Sequence, residues 1–302
     1  MKRKQFLGCL ILTFVAAIWG SAFVFQRVGM DYIEPITFNA ARMTLAAVAV
    51  GLVSFLMKPK AFADPEEKRA FSRNNVAGGI CCGIFLSLAS IFQQMGIVTT
   101  TAGKAGFITT LYMLLVPIFS FLLFKKRNSW LVWLAVLLGL CGMYLLCMTE
   151  SFTVASGDAL ICVCAVLFSG HILCCDHFVS RGDPIRISAI QFLTASLVSW
   201  AAAFLLESPG TDKIVSALIP ILYCGLVSGG MGYTLQIVAQ KFTDPTVASI
   251  LMSLESVFAV LAGALLLHET LSVRERWGCV IMFIAVIIVQ LPAPGTRRAD
   301  RP

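Results

Sequence analysis

The sequence predicts an all-α integral membrane protein: ten transmembrane helices in two inverted five-helix repeats, residues 1–150 and 151–302. Three observations carry this prediction. Apolar runs of about 20 residues, the length that crosses a hydrocarbon layer as a helix, recur ten times. The basic residues gather on one side of those runs. Segments of the first half recur in the second at a near-constant offset.

The composition excludes a soluble domain and a nucleic-acid binder. The chain is 58% hydrophobic and 13% charged, against about 25% charged in average soluble domains, and its mean hydropathy is +0.87. The net charge of +7 sits in short loops between apolar runs, where it sets orientation. All eleven cysteines lie within apolar runs and no C-x-x-C occurs. They read as small apolar helix residues, with Cys81–Cys82 and Cys174–Cys175 each pointing to different helix faces. No cofactor and no metal site are expected.

The spans run at about 6–26, 36–57, 76–98, 104–124, 129–148, 158–179, 187–206, 214–239, 246–267 and 273–291. The opening "MKRKQFLGCLILTFVAAIWGS" has the charge pattern of a signal peptide. Its apolar stretch continues past Ser21 and shows no A-x-A site, so it reads as an uncleaved first span. With Met1 inside, the inner segments hold 17 Lys and Arg and the outer ones 5, with Arg42 within a span. That bias predicts a multi-pass protein of the plasma membrane with both termini cytoplasmic. The longest loop is 58–75, and no segment is large enough for a soluble domain.

Internal similarity supports the repeat. "EPITFNAAR" (34–42) resembles "DPIRISAIQ" (183–191), and "AAIWGSA" (16–22) faces "AVLFSGH" (165–171), both at an offset of 149. At 143, Gln93 meets Gln236, Thr110-Leu111 meets Ser253-Leu254, and Tyr112 meets Glu255; at 144, Trp133 meets Trp277. Five spans is an odd number, so the halves insert with opposite orientation, a design in which solute sites lie near the midplane between halves.

Four segments resemble the drug/metabolite transporter superfamily of EamA type: "AIWGSAFVFQR" in the first span, "FNAARMTLAA" in the second, "KAGFITTLYMLLVPIFSFLL" in the fourth and "SLESVFAVLAGALLLHETL" in the ninth. The similarity covers about 5–291. It implies a central cavity lined by the first four spans of each half, with the fifth and tenth packed outside. It also implies carriage of amino acids, metabolites or drugs, with export favoured. The sequence departs from the family pattern at "FSGH" in the sixth span, where an aromatic is common.

Polar residues inside spans are the candidate solute-binding groups, because each is costly in lipid. Arg42 is a cation for a carboxylate, or a structural group pairing with helix-end carbonyls or Glu34; Gln191 holds its place in the second half. Gln93 and Gln236 line a cavity or bond between helices. Trp19 and Tyr112 are mid-span aromatics that stack on a ligand or pack, and Tyr233, toward the inner half of the eighth span, is a lesser candidate for the same role. His171 is a cavity group or a hydrogen-bonded helix histidine. Glu255, within the apolar run Ile250–Leu267, needs a cationic partner or a wet cavity; as a functional group it binds solute or a coupling proton. Pro117 predicts a kink in the fourth span, static or a gating hinge. Asp158, His268 and Glu269 read as solvated span ends.

The expected partners are therefore a small-molecule substrate, the lipid bilayer and a coupling proton, with no nucleic acid and with a homodimer left open. An uptake carrier for a cationic or zwitterionic nutrient is the alternative reading. A membrane enzyme built on the H-x-x-x-x-D pair His171 and Asp176 is remote, since five helical residues leave the side chains about 140° apart.

Overall fold

The computed structural model describes residues 2–58, 60–99, 102–147, 156–266 and 272–291, and every regular element among them is helical. The first half holds α1 (Lys2–Gly29), α2 (Pro35–Leu56), α3 (Pro65–Thr99), α4 (Ala102–Thr109), α5 (Tyr112–Phe124) and α6 (Trp130–Cys147). The second holds α7 (Ser156–Val179), α8 (Pro184–Leu206), α9 (Thr211–Ser216), α10 (Leu218–Leu222), a π-helical stretch (Tyr223–Tyr233), α11 (Thr234–Gln240), α12 (Pro245–Met252), α13 (Glu255–Leu266) and α14 (Val273–Gln290). Among the described residues, eight helical stretches are long and apolar enough to cross a membrane. The helix at Trp130–Leu146 is apolar but shorter, and α14 carries Arg274, Glu275 and Arg276 in its first turn. The chain is a multi-pass membrane protein.

Local chemistry sets the helix starts. Proline occupies the first turn of α2, α8 and α12, where its missing N–H costs nothing. Asp183 caps α8 by accepting from the backbone N–H of Ile185 and Arg186, and Asp244 caps α12 through Thr246. Glu34 does not cap α2. Glu207, at the end of α8, accepts from Ile36 N at 2.9 Å and from Thr37 N and Oγ1 at 2.7 Å. Lys213 hydrogen-bonds Glu34 instead, which holds that carboxyl below its usual range.

Three features differ from the expected spans. First, α3 starts at Pro65 rather than near 76; its 35 residues span about 52 Å, so most of the expected loop is helix projecting beyond the hydrocarbon layer. Second, the fourth span breaks at Thr110–Leu111, and α5 continues through Pro117. The ninth span breaks in the same way at Ser253–Leu254. Third, the eighth span is not one α-helix but passes through the π-helical stretch.

Packing follows the need to hide polar groups from lipid. Phe55 and Leu205 are 85% and 83% exposed, while Gln94, His171 and Gln191 are fully buried. Helix α3 packs on α7 and α8, α2 on α8, α1 on α13 and the π stretch, and α6 on α14. Two close crossings are built alike. A Cβ on Gly83 would stand 2.6 Å from both the Gln191 carbonyl and Thr194 Cβ. One on Gly225 would stand 3.0 Å from the Arg42 carbonyl and from Leu45 Cβ. Only glycine admits these backbones so near each other.

Candidate functional site

A buried cavity lies where α1, α2, α3, α7, the π stretch and the breaks of the fourth and ninth spans meet. Eight of the nine side chains singled out in the sequence line it: Trp19, Arg42, Gln93, Tyr112, His171, Tyr233, Gln236 and Glu255. Gln191 stands behind the wall, where its Oε1 lies 2.8 Å from His171 Nε2. The space is narrow, about 30 Å³, enough for a water or two.

The first helix supplies Trp19, Phe23 and Gln26, spaced so that all three share one face. Trp19 Nε1 donates to the Ser228 carbonyl at 3.1 Å, and its ring lies 4.7 Å from that of Tyr233. Tyr233, the last residue of the π stretch, also meets the His171 ring edge-on at 5.8 Å. Sequence reading ranked Tyr233 low, yet it links α1, α7 and the eighth span. π-helical insertions frequently accompany functional sites.

Arg42 is 3% exposed. Its Nε donates to Asn39 Oδ1 at 3.0 Å and its guanidinium lies 5.9 Å from the Phe38 ring centre. One nitrogen, Nη2, is buried with no hydrogen-bond partner among the described residues. The alternative pairing with Glu34 is not among the described ion pairs, and Glu34 hydrogen-bonds Lys213 instead. Glu255 is 4% exposed and accepts from Tyr112 Oη at 3.2 Å. Among the described ion pairs none joins Arg42 to Glu255. The cavity thus presents a guanidinium and a carboxyl that are not neutralised by each other.

The other polar wall groups are partly engaged. Gln93 Nε2 donates to Thr109 Oγ1 at 3.3 Å, and Gln236 Nε2 to Gln240 Oε1 at 3.2 Å. Gln236 Oε1 and Gln26 Oε1 are buried without a partner among the described residues. The sequence reading missed Phe23, Gln26, Thr109, Phe168, Ile172, Ser228 and Met252. Gln26 was recoverable, since it lies two helical turns from Trp19.

The lining residues come in mates at two offsets. Trp19 and Phe168, and Phe23 and Ile172, are 149 apart. Gln93 and Gln236, Thr109 and Met252, and Tyr112 and Glu255 are 143 apart.

A second, roomier pocket of about 320 Å³ opens at the Lys126 and Lys241 end, bounded also by Asp176 and His177. Lys126 forms an ion pair with Asp244 there. His171 and Asp176 therefore serve different pockets. Pro117 is buried in α5, and Asn128 Nδ2 reaches its carbonyl at 3.3 Å. Asp158, expected to be solvated, is 7% exposed because the first turn of α7 packs on the end of α3. His268 and Glu269 lie outside the described residues. Among the described residues no cluster of three or more His, Cys, Asp or Glu is arranged to hold a metal ion.

Comparison with known proteins gives a consistent result. Residues 6–148 and 155–291 each match the EamA-like transporter family. An uncharacterized transporter of Archaeoglobus fulgidus is 31% identical over 295 residues, covering 95% of this chain and 87% of its own. The uncharacterized transporter YoaV of Bacillus subtilis is 22% identical over 296 residues, covering 94% and 96%. A solved crystal structure superposes with a TM-score of 0.75 at 20% identity, covering 94% of this chain and 96% of that one.

Proposed function

The chain belongs to the EamA-like transporter family, and from that premise we propose a secondary carrier that moves a small zwitterionic organic solute by alternating access. The observation that carries this reading is the pair of buried, mutually unneutralised groups, Arg42 and Glu255, on the wall of one cavity. A solute carboxylate satisfies Arg42 Nη2, and a solute ammonium or a coupling proton satisfies Glu255. Trp19 and Tyr233 flank the solute's apolar part.

In this reading ten membrane passes form two inverted five-pass repeats. The mated lining residues, the matched breaks at Thr110–Leu111 and Ser253–Leu254, and the alike crossings at Gly83 and Gly225 support it. Two halves of one design offer two packings of similar energy, one open to each side. The central space admits a water or two, so the solute enters only as the halves part. The roomier pocket lies at the lysine-rich end, which the charge bias assigns to the cytoplasm of a plasma-membrane protein with both termini inside. Loading from there is export; the same site loaded from outside is uptake, with direction set by the gradients.

Counterflow in proteoliposomes tests the reading. Vesicles preloaded with unlabelled amino acids should accumulate the labelled solute transiently, and amines or sugars should not replace them. A chemically altered product would indicate an enzyme, and linear flux without exchange a channel.

A further inference from the structure

Away from the cavity, the α3–α7 crossing brings four thiols together. Cys81 Sγ lies 3.5 Å from Cys174 Sγ, and Cys82 Sγ lies 3.7 Å from Cys175 Sγ. All four are free. The adjacent cysteines do point to different faces of their own helices, but antiparallel packing sets each against a cysteine of the other helix. The two pairs differ in access. Cys82 and Cys175 are fully buried beside Val179, Ile187 and Ile237. Cys81 and Cys174 are half-buried. Cys174 follows Leu173, which with Asp176 borders the roomy pocket of about 320 Å³, but Cys174 is itself outside that pocket's wall.

The mated crossing supplies a contrast. At the repeat offsets, Cys81 corresponds to Tyr223 and Cys174 to Phe25. Those two rings are stacked, with centres 4.1 Å apart and planes at 18°. One crossing is therefore closed by an aromatic stack and its mate by a dithiol. Only the dithiol can become covalent.

We propose that Cys81 and Cys174 are a thiol–disulfide modification site, closed by a hydroperoxide and reopened by a thiol reductant, whose bond clamps the two halves together at the lysine-rich end. The clamp rests on the carrier reading; the bond does not. The sulfurs need to close from 3.5 Å to about 2.05 Å, a shift within side-chain adjustment. Cys81, deprotonated, attacks the peroxide O–O bond. Its sulfur becomes a sulfenic acid and the alkoxide or hydroxide leaves, taking a proton. Cys174 sulfur then attacks the sulfenyl sulfur, and water leaves with the Cys174 proton. Two thiols and one hydroperoxide give one disulfide, one alcohol or water, and one water. A reducing compartment keeps the pair open at rest, so the bond is an oxidant response rather than a structural staple. Since α3 lies in the first half and α7 in the second, the bond opposes their separation.

The full chain in nanodiscs is treated with hydrogen peroxide, and its thiols are counted by maleimide labelling after denaturation. The parent, with eleven cysteines, should lose two labelled sites, regain them with a reductant, and yield a cross-linked peptide containing Cys81 and Cys174. Cys82→Ser/Cys175→Ser should behave the same; Cys81→Ser should keep every remaining site, and Cys174→Ser should lose at most the one at Cys81, as a sulfenic acid with no cross-linked peptide. Unchanged labelling of the parent, or a link between Cys82 and Cys175 instead, overturns the assignment. Hydrogen exchange of backbone amides in 118–128 and 241–248 reads the clamp without any solute. It should slow at least threefold on oxidation and recover on reduction; unchanged exchange with the bond formed overturns the clamp. If the reduced protein fails to exchange amino acids in vesicles, the carrier reading fails by itself, and the thiol count and amide exchange still decide this proposal.

Discussion

Tyr112 Oη donates to Glu255 Oε1 at 3.2 Å, joining two residues 143 apart in the sequence. Each begins the helix that follows a break, Tyr112 at the start of α5 and Glu255 at the start of α13. The two breaks therefore meet at the cavity through one hydrogen bond. A buried hydrogen bond of this kind contributes roughly 0.5–3 kcal/mol, the upper end applying when the carboxyl is ionised. Tyr112→Phe removes it and keeps the ring. We expect a folded protein whose solute exchange falls at least tenfold while detergent-extracted thermal stability changes by a few degrees. Exchange equal to the parent would reduce this contact to packing.

Arg42 has a buried nitrogen with no partner among the described residues. Lysine keeps the charge and loses the planar fork. Arg42→Lys should weaken solute binding about tenfold, or ~1.4 kcal/mol, with yield and monodispersity unchanged, as read by ligand-induced thermal shift. A shift matching the parent's would place Arg42 in a structural role with Asn39 and Phe38.

The proposed orientation rests on the 17-to-5 bias of basic residues. In a cysteine-free background, Ser208→Cys should react with an impermeant maleimide from outside intact cells, and Ser72→Cys only after permeabilisation. The reverse pattern would invert the topology. Both positions are exposed and lie at span ends or beyond.

Gly83→Ala forces a Cβ to within 2.6 Å of the Gln191 carbonyl. It should lower the melting temperature by several degrees. Gly51→Ala, where a Cβ meets nothing within 4 Å, should be neutral or stabilising by up to about 1 kcal/mol, because alanine is the better helix former. Equal effects at the two sites would refute the crossing as a tight constraint.

The cavity wall was legible in the sequence because a bilayer makes polar side chains conspicuous. Arg42, Gln93, His171 and Glu255 each interrupt an apolar run, and the interior is where such groups find partners. Gln191 was placed one layer too far forward, since periodicity separates lipid-facing from inward-facing positions but not first wall from second. The π stretch was not legible from hydropathy. It shows as a change of repeat offset, from 142 at Gly83 and Gly225 to 143 at Gln93 and Gln236: one extra residue, which a helix absorbs as a wider turn. The pairing of Cys81 with Cys174 was hidden for another reason. Each helix alone gives the direction of its own thiols, and only the crossing says what they meet.

Glu255 carries the last prediction. It is 4% exposed in a cavity with room for a water or two, and its described hydrogen bond comes from a neutral phenol. A carboxylate so placed, with no ion pair to Arg42 among the described ones, is costly unless a cation or a proton joins it. A carrier turns that cost into coupling when the group takes its cation or proton on one side and releases it on the other. A residue that merely fastens α13 to α5 would not need to change state. Glu255→Gln keeps the size and the capacity to accept from Tyr112 while fixing the side chain neutral. If Glu255 carries the coupling proton, the variant should fold, reach the membrane and still exchange solute, yet fail to accumulate it against a gradient, and an imposed pH difference should no longer alter its flux. If Glu255 instead binds the solute ammonium, exchange itself should fall, by tenfold or more. Accumulation equal to the parent's, with the same response to pH, would leave Glu255 a fastening between two helix breaks.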